Sequence, residues 1–314
     1  MSEYNLAIII PAYKQTYLRD TLESIANQTD KNFRLYIGDD CSPYDLKSII
    51  DEFRDKINLI YHRFDTNMGG TDLVAQWERC IALSEGEPYI WLFSDDDVMD
   101  PNCVEVINKH IVKNRNQGIF RINVSVIDGN MNVLKDVVFP QEISPKDLYI
   151  GKLNGTLECF VVEYVFSRKV YEEIGGFVRF DLAWGSDLAT WIEMSKFENI
   201  ISLPVGRIYW RKSGVNISTT LSASVLERKA NALVDFLIWS ERFFSNNAEI
   251  KKINRNGFIS RITQMANQSN IKVGLNPVCK YSSNLKEKIG LLTRYIIISY
   301  LKSIYHVFSR NNAR

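Results

Sequence analysis

A chain of 314 residues, 46% hydrophobic and 24% charged, has the composition of an ordinary globular protein and can bury a sizeable core in one large domain or two. Its net charge of +1 conceals an asymmetry: residues 221–314 hold 15 Lys and Arg against 5 Asp and Glu, so a body of −9 carries a tail of +10. The five scattered cysteines lack a C-x-x-C pair and the three histidines are far apart, which suggests neither a disulfide framework nor a zinc site.

The first hundred residues alternate strand and helix. Leu6–Ala12 is a continuous apolar strand, and Leu18 to Gln28 has helical spacing with Leu18, Leu22, Ile25 and Ala26 on one face. Phe33–Ile37 is a second strand, stopped by Gly38-Asp39-Asp40. Ser42-Pro43 opens a helix striped by Leu46, Ile49, Ile50 and Phe53. A strand at Ile57–Tyr61, a loop at Asn67-Met68-Gly69-Gly70, a helix to about Ser84 and a strand at Tyr89–Phe93 complete a βαβαβαβ order, which predicts a parallel sheet with crossover helices. A new helix is expected from Val98-Met99-Asp100-Pro101. Further on, strands are expected at Ile119–Val126, Val133–Val138, Leu157–Phe166, Ile200–Leu203 and Arg207–Arg211. Short helices are expected before Gly175-Gly176-Phe177 and after Trp184-Gly185-Ser186-Asp187, and from about Leu221 the chain turns helical and basic.

Ligands of parallel α/β sheets bind at the carboxyl ends of the strands. Tyr13, Asp39-Asp40, Asn67 and Ser94-Asp95-Asp96-Asp97 all lie at such ends. Three adjacent carboxylates repel one another unless solvated or bound to a cation. One reading is an acidic turn before a helix; the other is a site for a hard divalent ion carrying phosphates. The segment after the first strand, Pro11-Ala12-Tyr13-Lys14-Gln15, is neither a dinucleotide fingerprint nor a Walker loop, which disfavours oxidoreductases and P-loop ATPases. Phosphate held by carboxylates requires a metal between them.

The order of motifs resembles the family 2 glycosyltransferases over roughly residues 5–220. Ile8-Ile9-Ile10-Pro11-Ala12-Tyr13 resembles the family's first strand and nucleotide-contacting turn, and Ser24-Ile25-Ala26-Asn27-Gln28-Thr29 its S-I-x-x-Q-T helix end. Asp39-Asp40-Cys41-Ser42 is similar to D-D-x-S, Asn67-Met68-Gly69 to the N-x-G loop, and Ser94-Asp95-Asp96-Asp97 stands where the family keeps its metal-binding aspartates. Gly175-Gly176-Phe177 followed by Asp187 resembles the segment that supplies the catalytic base, and Trp210-Arg211 with Gly214 to Ser218 resembles the close of the domain. Two departures stand out: Ser94 replaces the first Asp of D-x-D, and Lys212-Ser213 follows Trp210-Arg211 where a His is usual.

The resemblance implies an α/β GT-A fold, a Rossmann-like and mostly parallel sheet flanked by helices. Residues 1–100 would form the nucleotide-sugar half of one domain, residues 101–220 its acceptor half, and residues 221–314 a basic helical extension. It implies an inverting transfer of a sugar from a nucleotide-diphosphate donor, a UDP-sugar first, to a saccharide or lipid-linked saccharide. Asp187 would be the base. Pro11, Tyr13, Asp40, Asn67 and Asp95 would bind the nucleotide, with Asp40 reading the base. Asp96 and Asp97 would hold Mn²⁺ or Mg²⁺, and Trp184, Arg211 and Lys212 would contact acceptor or diphosphate. Asp187 also reads as a helix-capping acid, Asn67 as a loop-former and Trp184 as a core residue. The rival functions are a non-catalytic partner subunit that keeps the fold, and a sugar-nucleotide nucleotidyltransferase. The second rival would need a Gly-rich, basic loop after the first strand, and Lys14-Gln15-Thr16 is not one.

No apolar run approaches a membrane span, and the start, Met-Ser-Glu-Tyr-Asn, lacks the basic region of a signal peptide, so the cytoplasm is the expected compartment. Residues 286–310 interleave Lys288, Arg294, Lys302 and Arg310 with apolar and aromatic residues. That is the composition of a basic helix lying on an anionic membrane, at the inner face of the cell membrane here; a packing or dimer helix is the alternative. No nucleic-acid recognition fold is evident. Truncation before Leu285 should release the protein from anionic vesicles. Binding of the full chain should fall between 0.1 and 1 M salt, as the Debye length shortens from about 10 to about 3 Å. Co-sedimentation with anionic and neutral vesicles checks this, and equal binding to both rules out the electrostatic anchor.

Overall fold

In a computed structural model the protein is described over residues 3–212, 222–269 and 276–281, with Gly290 and Thr293. The expected membrane-surface helix at 286–310 and the stretch Gly214 to Ser218 lie outside the described residues, apart from those two positions. The chain divides into two compact units, residues 1–179 with 186–216, and residues 180–185 with the chain from 217.

The first unit is built on one mixed sheet. Its elements are β1 (Leu6–Ala12), α1 (Leu18–Ala26), β2 (Phe33–Asp39), α2 (Leu46–Asp51), β3 (Leu59–Arg63), α3 (Leu73–Ile81), β4 (Tyr89–Leu92), β5 (Val98–Met99), α4 (Cys103–Lys113), β6 (Ile119–Ile127), β7 (Val133–Asp136), β8 (Glu142–Ile143), α5 (Pro145–Asn154), β9 (Tyr164–Ser167), α6 (Arg168–Glu173), α7 (Ser186–Met194) and β10 (Ile200–Arg211). The strand order is β3-β2-β1-β4-β9-β6-β10-β5, with β7 on β6 and β8 on β10. The β3-β2-β1-β4 portion is parallel throughout. Beyond it the sheet is mixed: β9 runs antiparallel to both β4 and β6, and β10 is parallel to β6. β1 is apolar along its length because it is covered on both faces, and Leu6 through Ile10 are fully buried.

The register fixes the site. Ala12 pairs with Asp39, and Ile9 with Leu92, so β1, β2 and β4 end on one edge. Tyr13-Lys14, Asp40 and Ser94–Asp97 therefore emerge together.

Several local expectations need correction. Val98-Met99 begin no helix: both are buried and pair with Tyr209 and Ile208 of β10, and the helix starts only at Cys103. Ser42-Pro43 do not open α2; Asp45 caps it by accepting from the Ser48 N–H, while the Ser42 hydroxyl donates to the Tyr13 carbonyl at 2.7 Å. The strand expected at Leu157–Phe166 shrinks to β9, preceded by a 3₁₀ turn at Val161–Glu163. Ahead of it lies α5, which the apolar pattern did not reveal. Its signals are in the sequence: Ser144 as N-cap, Pro145 at the first position, and Gly155 at φ 73° after its end. Ile200–Leu203 and Arg207–Arg211 form one strand with an irregularity between Leu203 and Arg207.

The second unit contains α8 (Ala223–Phe243), α9 (Ala248–Ser269) and α10 (Asn276–Tyr281). The Asn254 amide joins α9 to α8 through the Leu237 carbonyl, Ser240 Oγ and Glu241. Tyr281 Oη of α10 donates to Glu241 at 2.8 Å.

The Gln of the S-I-x-x-Q-T segment is a joint. Gln28 is buried, donates to the Asp100 carbonyl at 2.8 Å and accepts from the Val104 N–H at 3.0 Å, tying α1 to α4. Gln28→Ala leaves these backbone groups unpaired at about 1–3 kcal/mol each. Thermal unfolding should show the melting temperature falling by several degrees, while nucleotide affinity is unchanged.

Candidate active site

The acidic turn is held from both sides. Asp95 Oδ2 accepts from the N–H groups of Tyr13 at 2.8 Å and Lys14 at 2.6 Å, so β4 is stitched to the end of β1. Asp97 accepts from the Arg211 N–H at 2.7 Å, stitching the turn to the end of β10. Ser94 Oγ donates to Asp97 at 2.6 Å and accepts from the Asp97 N–H. A carboxylate at position 94 would face the Asp96 and Asp97 carboxylates without a proton to give, a contact that the Ser hydroxyl makes favourable. Burial, and then the neighbouring Asp96, push the Asp97 carboxyl up to about 7. The Asp95 carboxyl is also raised, by burial first, with Lys14 opposing.

The Lys14 ammonium bonds Asp96 and lies 3.2 Å from Asp95 Oδ1. Burial alone would lower its pKa, but the two carboxylates more than offset this and raise it. In the sequence Lys14 stands in a segment that lacks a glycine-rich loop, and nothing local marks it as a site residue.

Arg211 does not take the expected phosphate role. It is buried, and its guanidinium donates to the carbonyls of Asp96 at 2.8 Å and Gly129 at 3.2 Å, to Asp20 at 3.1 Å and to Met131 Sδ, while lying over the Tyr17 ring. Four of its five N–H donors are so committed, and the buried head is spent on holding the turn. Lys212 is exposed, its N–H bonded to the Ile127 carbonyl. Asp97 likewise turns inward, toward Arg211 and Ser94, and its oxygens serve the turn rather than an outer ligand.

Asp40 is buried and organises the Asn67 loop. It accepts from the N–H groups of Met68 at 2.6 Å and Gly69 at 2.8 Å and from Arg79, leaving about one of its four lone-pair sites for an incoming N–H. A Cβ on Gly69 would stand 2.8 Å from Asp40 Oδ2, which is why the loop needs glycine there. Asn67 Oδ1 accepts from the Gly70 N–H within the loop. Asp39 is spent on Ser42, Tyr61 and Arg63. Pro11 pairs with Gly38 in the β1–β2 register, and Tyr13 is 40% exposed, available for a planar ligand.

Asp187 lies in the first turn of α7, half-buried. Burial raises its pKa; the Leu188 N–H and the charge of Lys152 partly oppose that. Lys152 belongs to α5, which packs on α7, and its Nζ donates to the Cys159 carbonyl at 3.2 Å. The Gly-Gly-Phe segment sets the course of the chain ahead of α7. Gly176, at φ 92°, comes so close to Glu78 that a Cβ would meet its carboxylate at 2.9 Å, and Phe177 inserts among Trp77, Phe166, Tyr171 and Trp191. Trp184 falls in the second unit, where the Lys229 ammonium stands 5.0 Å from its ring centroid.

Among the described residues no three His, Cys, Asp or Glu side chains converge on one point as a metal cage. Asp96 nevertheless fits a hard divalent ion: it is a carboxylate at the sheet edge already bonded to a cation. An ion held by one carboxylate, with substrate phosphates and water completing its shell, is ordinary for Mg²⁺. Among the described residues no helix is long and apolar enough to cross a membrane.

Because Arg211 clamps Asp96, Gly129 and Asp20, Arg211→Met should be expensive, at about 1.5–3 kcal/mol for each charge-assisted bond lost. Chemical denaturation should show this loss of stability. If Arg211 only bound phosphate, stability would hold and nucleotide affinity alone would fall.

A family model described as glycosyl transferase family 2 matches residues 7–175, more than half of the chain. The poly(ribitol-phosphate) beta-N-acetylglucosaminyltransferase TarS of Staphylococcus aureus is 31% identical over 110 residues, 34% of this chain and 17% of TarS, so the match spans about a sixth of that relative. An uncharacterized glycosyltransferase of Methanocaldococcus jannaschii is 29% identical over 136 residues, 42% of this chain and 45% of its own. Among solved structures, S. aureus TarS 1–349 in complex with UDP-GlcNAc superposes with a TM-score of 0.59 at 15% identity, covering 94% of this chain and 90% of that one. The mannosyltransferase PcManGT of Pyrobaculum calidifontis, in complex with GDP-Man and Mn²⁺, gives 0.54 at 13% identity, covering 96% and 85%. At such identities the superpositions establish the fold, which is GT-A.

Proposed function

The chain belongs to glycosyl transferase family 2, and from that membership we propose that it moves a sugar from a nucleotide-diphosphate donor, a UDP-sugar first, to a hydroxyl of a saccharide or lipid-linked saccharide, with inversion. The observation that carries the reading is the Asp95–Asp96 turn, fixed at the carboxyl edge of the parallel strands with a cation on it. Asp96 would hold a divalent ion, which offsets the charge of the departing diphosphate when bound. Tyr13 and the Asn67 loop around Asp40 would receive the nucleoside. The UDP-GlcNAc in the TarS complex favours a UDP-sugar, and the basic sequence after residue 221 favours an acceptor presented at an anionic membrane surface.

Asp187 would accept the proton of the acceptor hydroxyl. The oxygen then attacks the anomeric carbon from the face opposite the diphosphate, a C–O bond forms, and the bond to the phosphate oxygen breaks. One base and one displacement invert the configuration. Burial suits Asp187 to this task, because a raised pKa strengthens it as a base.

Asp187→Asn is nearly isosteric, and turnover should fall by at least about 10²-fold with donor affinity little changed. Release of nucleoside diphosphate from UDP-, GDP- and dTDP-sugars, and of CMP from CMP-sugars, with Mn²⁺ measures this and also separates an enzyme from a non-catalytic subunit. Near-normal turnover with reduced stability would make Asp187 a helix-capping acid only.

The pH profile of kcat provides a further check. Only the ionised base works, so the rate should rise with pH, with its midpoint above the ordinary Asp value of about 3.9. Lys152 pulls the Asp187 pKa down, so Lys152→Met should move that limb to higher pH.

A further inference from the structure

Lys14 is anchored where a mobile cation would be useful. Its own N–H and that of Tyr13 are bound to Asp95 Oδ2, so its Cα stays beside the acidic turn whatever the side chain does. The side chain is 30% exposed and ends on Asp95 and Asp96, the second of which is the proposed metal ligand. The neighbouring arginines are committed elsewhere. Arg211 clamps the turn through the Asp96 and Gly129 carbonyls, and Arg79 holds Asp40 and the Thr66 carbonyl and lies 3.8 Å from the Phe64 ring centroid.

We infer that Lys14 is a transferable counter-ion: its ammonium and a divalent cation compete for Asp96, and when the cation binds with the donor, Lys14 turns to the diphosphate. This rests on the donor site proposed above. A doubly charged ion outcompetes an ammonium for a carboxylate, since the attraction scales with charge. The displaced ammonium, on a flexible four-carbon stem with three donors, suits phosphate oxygens as a point charge. No bond is made or broken; one ion pair is exchanged for another, so the two anionic partners are never left uncompensated together.

The exchange has a signature that a structural lysine lacks. Lys14→Met removes the competitor, so Mn²⁺ alone should bind about tenfold tighter. It also removes a phosphate partner, so nucleoside diphosphate at saturating Mn²⁺ should bind about tenfold more weakly. Lys14→Arg keeps the charge and should restore much of both. Mn²⁺ affinity is read by the paramagnetic resonance of the free ion. Affinities for UDP and GDP are read by calorimetry, taking the tighter of the two, with Asp96→Ala as the variant that loses the Mn²⁺ site.

Opposite shifts in Lys14→Met support the exchange. Both affinities falling, or an unchanged Mn²⁺ affinity, overturns it and leaves Lys14 as a fixed part of the turn. The proposed function is tested separately by the unsubstituted protein: if it binds neither nucleotide with Mn²⁺, the donor-site reading fails and takes the inference with it.

Discussion

Three consecutive carboxylates, all of them buried, can exist at the end of a strand only if other groups compensate their charge. Here the compensation comes from backbone amides of strands far apart in sequence. Asp95 takes two amides from the end of β1 and Asp97 one from the end of β10, while Asp96 faces the Lys14 ammonium. The acidic turn thus adds a second link between the parallel and mixed halves of the sheet, beside the β4–β9 pairing. The pairing of the short β5 with β10 continues the same contact, since Val98 lies opposite Tyr209 next to the Asp97–Arg211 bond.

The same constraint governs the cations. An arginine at the carboxyl edge of a parallel sheet invites a phosphate role, yet Arg211 and Arg79 are used to hold loop carbonyls and buried carboxylates in place. Their planar, multi-donor heads suit fixed scaffolding with several simultaneous bonds. Lysine, with a compact charge and a flexible stem, is left for ligand work. The separation of rigid arginines from a movable lysine gives the site a fixed frame and one adjustable charge.

The environment of Asp187 is assembled from segments that carry no chemistry of their own. Gly176 lets the chain pass against Glu78, Phe177 anchors it in an aromatic cluster, and α5 brings the charge of Lys152 toward the start of α7. Burial makes the carboxylate more basic, and Lys152 limits the shift. The two oppose each other, so the basicity of Asp187 is set by packing as much as by its own identity.

The alternation of strand and helix over the first hundred residues was legible in the sequence, because burial on both faces leaves an apolar run such as Leu6–Ala12 and crossover helices leave a 3.6-residue stripe. The order of short motifs carried the family. α5 was missed because its apolar residues show no clean face, although Ser144, Pro145 and Gly155 marked both its ends. The Val98-Met99 pairing with β10 was not legible, since strand partners more than a hundred residues apart leave no local trace. Residue types alone made Arg211, Asp97 and Lys212 equal candidates for ligands, and made Lys14 none. Only the tertiary structure decided which charges are spent internally and which face outward. A carboxylate or guanidinium is read by its type in a sequence, whereas its availability depends on the donors and acceptors that the folded chain brings within about 3 Å of it.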